Sequence, residues 1–114
     1  MRPRIVAALL ALFSLSGCYN DADSFIVAKA KHDCIRFAEC NAALFEDIYG
    51  GNMDECRVKQ EDLLDGIRDI AEGLGGEYDP AEGKECMAAT RSLKRDCSNG
   101  ADDEIGDACD RVYH

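Results

Sequence analysis

The segment NMDECRVKQEDLLDGIRDIAEGLGG, residues 52–76, is the clearest helix in the sequence. Asn52 or Asp54 can cap its start, and Gly75-Gly76 stops it, because glycine readily adopts the left-handed backbone that ends a helix. Between these ends one line of positions follows a spacing of three to four residues: Cys56, Gln60, Leu63, Ile67, Ile70 and Leu74. Such a line is a partner-binding face or part of the core. In a chain this short the core is the commoner case, so we predict that the line is buried.

Helices are predicted on both sides of this segment. Ser24 can cap a first helix that ends at Gly50-Gly51 and carries the line Val27, Ala30, Cys34, Phe37, Asn41, Leu44 and Ile48. Asp79-Pro80-Ala81-Glu82 opens a further helix through Leu93, since it combines a cap, a proline at the first position and a glutamate at the third. A short last helix holds Ile105, Ala108, Cys109 and Val112. We therefore predict an all-α fold, a small disulfide-stapled bundle of three to four helices.

The chain has seven cysteines: Cys18, Cys34, Cys40, Cys56, Cys86, Cys97 and Cys109. The last six form an even set, which predicts three disulfides in an oxidising compartment. No Cys-x2-Cys pair is present, so a zinc site is disfavoured. Of fifteen possible pairings, Cys40 with Cys56 is a candidate because the two flank the Gly50-Gly51 turn. The other four cysteines would then share two bonds that attach the C-terminal half to the first helix.

The first eighteen residues have the pattern of a lipoprotein leader. A basic start, Met1–Arg4, precedes an apolar run, Ile5–Leu15, that ends in Leu15-Ser16-Gly17-Cys18. The eleven residues of this run make about 16 Å of helix at about 1.5 Å per residue, too short to cross a hydrocarbon core of about 30 Å. The final four residues fit a bacterial lipobox, in which small side chains precede the cysteine that is acylated. The alternative is an ordinary secretory signal that ends near a cysteine.

This pattern divides the chain into three parts. Residues 1–17 are predicted to be a cleaved lipoprotein signal peptide, 18–23 the lipidated N-terminus and a short tether, and 24–114 the helical disulfide-rich domain. Lipidation of Cys18 also accounts for the odd cysteine. The expected location is the cell envelope. Tyr19, rather than the aspartate that retains lipoproteins at the inner membrane of some enteric bacteria, follows Cys18, and this favours the outer membrane.

The charge of the chain limits its partners. Thirteen basic and 23 acidic residues give a formal net charge of −10, and loss of Arg2 and Arg4 with the leader leaves 11 basic residues and a charge of −12. Such a chain repels phosphate backbones and anionic lipid headgroups, so we expect no nucleic acid partner. Attachment to a membrane is expected through the lipid on Cys18 rather than through basic residues, because two or three acyl chains anchor a protein firmly.

The mature part resembles a known group of proteins in its cysteine spacing and aromatic residues. The matching residues are Phe37-Ala38-Glu39-Cys40, Phe45, Tyr49-Gly50, Met53-Asp54-Glu55-Cys56, Cys86, Cys97 and Cys109. Together they resemble the short cysteine-rich lipoproteins of Gram-negative soil bacteria, whose role is unassigned. This resemblance implies an extracytoplasmic helical domain and assigns no catalytic residue.

Few residues suggest chemistry. Neither histidine, His32 or His114, has a serine, free cysteine or metal ligand at a useful spacing, so we expect no enzymatic activity. The loop from Cys97 to Asp110 is rich in hard oxygen ligands, and a calcium site is one interpretation of it, formed by Asp102, Asp103, Glu104 and Asp107. The preferred interpretation is that the first three of these acids favour the positive N-terminus of the last helix.

Three functional hypotheses follow from the sequence. The first is a membrane-anchored, non-catalytic binding or envelope-structural module with a protein partner. The second is an acidic, calcium-dependent surface module. The third is an enzyme inhibitor or an enzyme whose site the sequence does not reveal. Apart from the covalent lipid and the calcium ion of the second hypothesis, no cofactor is expected.

Overall fold

The structure is a computed structural model and describes residues 18–114. These residues form five helices: α1 (Ala22–Cys40), α2 (Ala42–Tyr49), α3 (Met53–Gly73), α4 (Pro80–Leu93) and α5 (Asn99–Cys109). The all-α, disulfide-stapled fold predicted from the sequence is confirmed, with one more helix than expected. The predicted signal peptide, including the lipobox residues before Cys18, lies outside the described residues.

Side-chain caps fix where most helices begin. Asn52 accepts a hydrogen bond from the backbone N–H of Glu55 at 3.1 Å, and the Asp79 carboxylate accepts from two N–H groups at the start of α4. The start at Asp79 was predicted, and Asn52 was one of the two caps predicted for α3. The predicted cap of α1, Ser24, is wrong, because Asp21 caps this helix and accepts from the Ser24 N–H at 2.7 Å. The helix therefore begins at Ala22, within the segment predicted to be a tether.

The predicted first helix is interrupted at Asn41. The backbone of this residue has φ −137° and ψ 53°, which is not helical, and the chain starts again as α2 in a new direction. Gly50 and Gly51, with φ 58° and 76°, then turn the chain into α3. Because α2 follows its own direction, the predicted core positions Leu44 and Ile48 lie at the surface.

Helix α1 is the centre of the fold. It packs against α2, α3 and α4, while α5 packs against α4. One core cluster contains Phe25, Ile26 and Met87, together with Cys86 and Val112. A second cluster, around Cys34, Phe45 and Cys56, joins α1, α2 and α3. The N-terminus of α1 lies beside the C-terminal half of α3, where Asp23 forms an ion pair with Arg68. Helices α1 and α3 are therefore antiparallel.

The three disulfides are Cys34–Cys56, Cys40–Cys97 and Cys86–Cys109. Three bonds from these six cysteines were predicted, but the pair Cys40–Cys56 is wrong. Cys34 and Cys40 are six residues apart on α1 and, at about 100° per residue, point about 120° away from each other. Cys34 therefore meets α3, and Cys40 meets the connection before α5. Only Cys40–Cys97 attaches the C-terminal half to α1, because Cys86–Cys109 joins α4 to α5.

The C-terminal residues return to the segment before α4. The backbone of His114 exchanges hydrogen bonds of 2.9 and 3.0 Å with Glu77, and Asp79 donates its N–H to the Val112 carbonyl at 2.7 Å. Val112 was predicted to lie within the last helix. It is instead buried beyond the end of α5, which is at Cys109. Between these strand-like bonds lies Tyr78, whose hydroxyl donates to the Tyr19 carbonyl at 2.5 Å.

Candidate docking surface

A row of four large aliphatic side chains, three on α3 and the fourth at its C-cap, faces solvent. Leu63, Ile67, Ile70 and Leu74 have exposed fractions of 57, 46, 67 and 85%. We call these four residues the α3 stripe. The prediction that this line is buried holds at Cys56, which is inaccessible, and is wrong from Leu63 onward. The spacing of the stripe is four, three and four residues, as in the seam of a coiled coil.

The direction in which α3 packs explains this exposure. Its contact side is marked by the buried Cys56 and the half-buried Leu64, and among the helices of residues 18–114 it packs only against α1 and α2. At about 100° per residue, the stripe is centred about 50° away from the midpoint between Cys56 and Leu64. The apolar face of α3 is therefore wider than the surface that α1 and α2 cover, and the stripe is the uncovered part.

Two glycines make the surface beside the stripe flat. Gly66 and Gly73 occupy the helical row next to the stripe, and a Cβ added at either position would have no atom within 4 Å. Another backbone can therefore approach α3 closely along this row. The next row around the helix holds Asp62 and Asp69, both exposed. The open side of the stripe is thus bordered by two glycines and then by two carboxylates.

The basic residues of α3 are already neutralised by acidic neighbours. Arg57 pairs with Asp54 at 3.2 Å, and Lys59 pairs with Glu55 at 3.2 Å. Arg68 is shared among Asp23, Asp65 and Asp69. No ion pair joins Asp62 or Glu72 to a basic residue within 18–114. The surroundings of the α3 stripe therefore carry a negative charge that a basic partner would complement.

The acidic residues predicted as calcium ligands lie on α5. Asp102, in its first turn, pairs with Arg36 at 2.6 Å, and Ser98 caps the helix. Asp103, Glu104 and Asp107 are exposed on the same helix. Among residues 18–114, no three His, Cys, Asp or Glu side chains are grouped as a metal site requires. Calcium binding by Asp102, Asp103, Glu104 and Asp107 stays a prediction from the sequence.

The two histidines have different surroundings. His114 contacts the Asp79 carboxylate at 2.7 Å, and this hydrogen bond is the main reason why the pKa of Asp79 is below its ordinary value. His32 is half-buried on α1, and burial lowers its pKa. Cys18 is exposed at the start of the described residues, and the six other cysteines form the three disulfides.

No family model matches this chain. No curated protein and no solved structure matches it either. The fold and its surface therefore have to be interpreted from their own chemistry. Within residues 18–114, no helix is both long enough and apolar enough to span a membrane.

Proposed function

We propose that this chain is a lipid-anchored, non-catalytic binding module of the cell envelope that docks a protein partner on the α3 stripe. The observation that carries the proposal is the row of four exposed aliphatic side chains on one helix. Isolated apolar residues are common on protein surfaces, but a contiguous row bordered by polar residues is typical of an interaction site. Burial of such surface contributes about 25 cal/mol per Å² of apolar area, which favours association.

The stripe fits a helical segment of the partner. Its spacing of four, three and four residues matches the apolar face of an amphipathic helix that packs side by side with α3. The flat row of Gly66 and Gly73 supports a close approach of the two backbones. Because Asp62 and Asp69 border this row, the partner helix should carry Lys or Arg on its flanks. A second copy of this chain would instead bring carboxylates against carboxylates, so we propose a different, basic partner.

Membrane attachment through Cys18 completes the proposal. It is supported by the lipobox Leu15-Ser16-Gly17-Cys18 and by the even number of the remaining cysteines. Since α1 begins at Ala22, only a few residues separate the acylated cysteine from the helical domain. The domain would act close to the bilayer, with the outer membrane as the favoured site.

Binding to the stripe can be measured with a defined basic helix. The probe is an 18-residue peptide with Leu at helical spacing and Lys elsewhere, and the control peptide has Glu in place of Lys. We expect the Lys peptide to bind at least tenfold more tightly and to shift the methyl resonances of Ile67 and Ile70. Replacing both isoleucines by serine should weaken binding at least tenfold, with little loss of stability because both are exposed.

A matched control lies on the same helix. Val58 is 58% exposed but outside the stripe, so Val58→Ser should change the affinity less than twofold. Equal binding by the stripe variant and the Val58 variant would contradict the proposal. A dimer in sedimentation equilibrium that Ile67→Ser and Ile70→Ser dissolve would assign the stripe to a second copy instead.

The proposed lipid anchor can be tested separately from the docking surface. Cys18→Ser removes the thiol that is acylated, so the protein should lose incorporated palmitate and move from the detergent phase to the aqueous phase in a Triton X-114 partition. The wild-type protein, expressed in the same bacterial host, is the reference. A serine variant that still partitions with the wild type would show that acylation of Cys18 is not the anchor.

A further inference from the structure

The basic residues of this acidic protein are unevenly distributed. Of the eleven that follow Cys18, six form ion pairs with carboxylates, among them Lys29 with Asp33 and Arg36 with Asp102. Within the described part of the chain, the other five have no such pair: Lys31, Lys84, Arg91, Lys94 and Arg111. Three of these five act on His32: Lys31 precedes it on α1, and Arg91 and Lys94 are one turn apart at the C-terminal end of α4.

The surroundings of His32 show how these three cations are grouped. After burial, the positive charges of Lys94, Arg91 and Lys31 are the causes that hold the pKa of His32 below its ordinary value. Asp33 is the acidic residue that acts in the opposite direction, and its carboxylate already accepts a hydrogen bond from Lys29 at 2.7 Å. We call Lys31, Arg91 and Lys94 the cationic patch.

The cationic patch lies beside the start of the mature chain. Arg91 donates a hydrogen bond from Nη1 to the hydroxyl of Tyr19 at 3.3 Å, and Tyr19 directly follows Cys18. Tyr19 also packs against the first core cluster, as does Ala28. Ala28 in turn lines a surface depression together with Lys31, His32 and Asp23, whose carboxylate is paired with Arg68. The residue next to the anchor point is thus held against the domain on the side that carries these charges.

We infer that Lys31, Arg91 and Lys94 contact the phosphate groups of anionic lipid headgroups in the membrane that holds Cys18. The inference rests on the lipid anchor of the proposed function. The net charge alone argues for repulsion between this protein and an anionic bilayer. A tether of a few residues, however, still allows the domain to rotate above the bilayer. The side whose cations have no ion pair is then attracted to the anionic headgroups, and the acidic remainder of the surface is repelled by them.

The electrostatic attraction between the cationic patch and the headgroups acts over a short distance. Electrostatic interactions decay over about 8 Å at physiological ionic strength, so only charges close to the bilayer surface contribute. Arg91 is held close to the anchor point, because its guanidinium contacts the side chain next to Cys18. Each Lys or Arg near an anionic leaflet strengthens binding about fivefold. Three such charges are sufficient to orient an anchored domain, although they would be too few to anchor it.

Lysine labelling in reconstituted vesicles tests this contact. The lipidated protein is placed in vesicles of phosphatidylcholine alone or with one third phosphatidylglycerol, and an amine-reactive reagent is added. We expect labelling of Lys31 and Lys94 to be about fivefold slower in the anionic vesicles. Lys59, which is paired with Glu55 on α3, serves as the internal control and should change less than twofold. Raising the salt to 0.5 M should abolish the difference.

Charge reversal makes the test specific. Arg91→Glu should remove most of the protection of Lys31 and Lys94, whereas Arg57→Glu, with the same charge change on α3, should leave it in place. Equal labelling of Lys31 and Lys94 in both kinds of vesicle, or equal slowing of Lys59, would overturn the inference. In either case the protein would still be in the vesicle fraction, so the anchor would stand. Failure of the anchor is recognised separately, because the wild-type protein would then be absent from that fraction.

Discussion

Replacing Cys34 and Cys56 together by alanine is expected to lower the free energy of unfolding by about 4 kcal/mol. The two cysteines have a sequence separation of 22, and the loop entropy of a ring of this size contributes about 3 kcal/mol. Both cysteines are inaccessible to solvent and form the centre of the second core cluster with Phe45. Removing two buried sulfur atoms therefore leaves a cavity, which adds about 1 kcal/mol.

The measurement is urea unfolding of the oxidised variant, compared with the variant in which Cys40 and Cys97 are alanine. The second ring is longer, with a separation of 57 residues, and loop entropy alone ranks it about 1 kcal/mol above the first. Cys97 is exposed, however, so its removal leaves no cavity. We expect equal losses from the two variants. A loss below about 2 kcal/mol for the Cys34 and Cys56 variant would contradict the prediction.

The second large effect is expected at Gly83, where alanine should cost about 2 kcal/mol. A Cβ at this position would lie 2.8 Å from Cζ of Tyr78 and closer still to its hydroxyl oxygen. Tyr78 cannot easily move, because it donates to the Tyr19 carbonyl and its ring packs 5.5 Å from that of Phe25. Burial raises the pKa of Tyr78 to about 12, so the hydroxyl keeps the proton that it donates.

Gly66 provides the matched control for this substitution. It also lies inside a helix, but an added Cβ would meet no atom within 4 Å. Gly66→Ala should therefore raise the melting temperature, since alanine favours a helix over glycine by about 1 kcal/mol. Gly83→Ala should lower it. In a Tyr78→Phe background, which lacks the hydroxyl, Gly83→Ala should cost less, and an unchanged cost would show that the clash with Tyr78 is not the cause.

Features that depend on local chemistry could be predicted from the sequence. The start of α3 at Asn52, the start of α4 at Asp79-Pro80 and the end of α3 before Gly75 all agree with the structure. Each involves side chains or glycines within one turn of the helix end. The cap of α1 is an exception, because Ser24 was predicted and the structure places the cap at Asp21, three residues earlier.

Features that depend on how helices meet could not be predicted. The break at Asn41 places α2 in its own direction, and this changes which cysteine can reach Cys56. The α3 stripe follows the period of a core face, but periodicity does not tell how many neighbours a helix has. Among the helices of residues 18–114, only α1 and α2 pack against α3, which buries Cys56 and leaves Ile67 and Ile70 exposed. The candidate surface was therefore visible as a pattern, while its exposure was not.

The disulfide arrangement also determines whether the fragments of a proteolysed chain stay covalently joined. Within residues 18–114, every connection between successive helices lies inside at least one disulfide ring. A single cut in any of them leaves two fragments that are still covalently joined. The connection between α3 and α4, residues 74–79, is enclosed only by Cys40–Cys97. In a protein cut there, Cys40–Cys97 is the covalent link between the two fragments, so its reduction would leave them joined by noncovalent contacts.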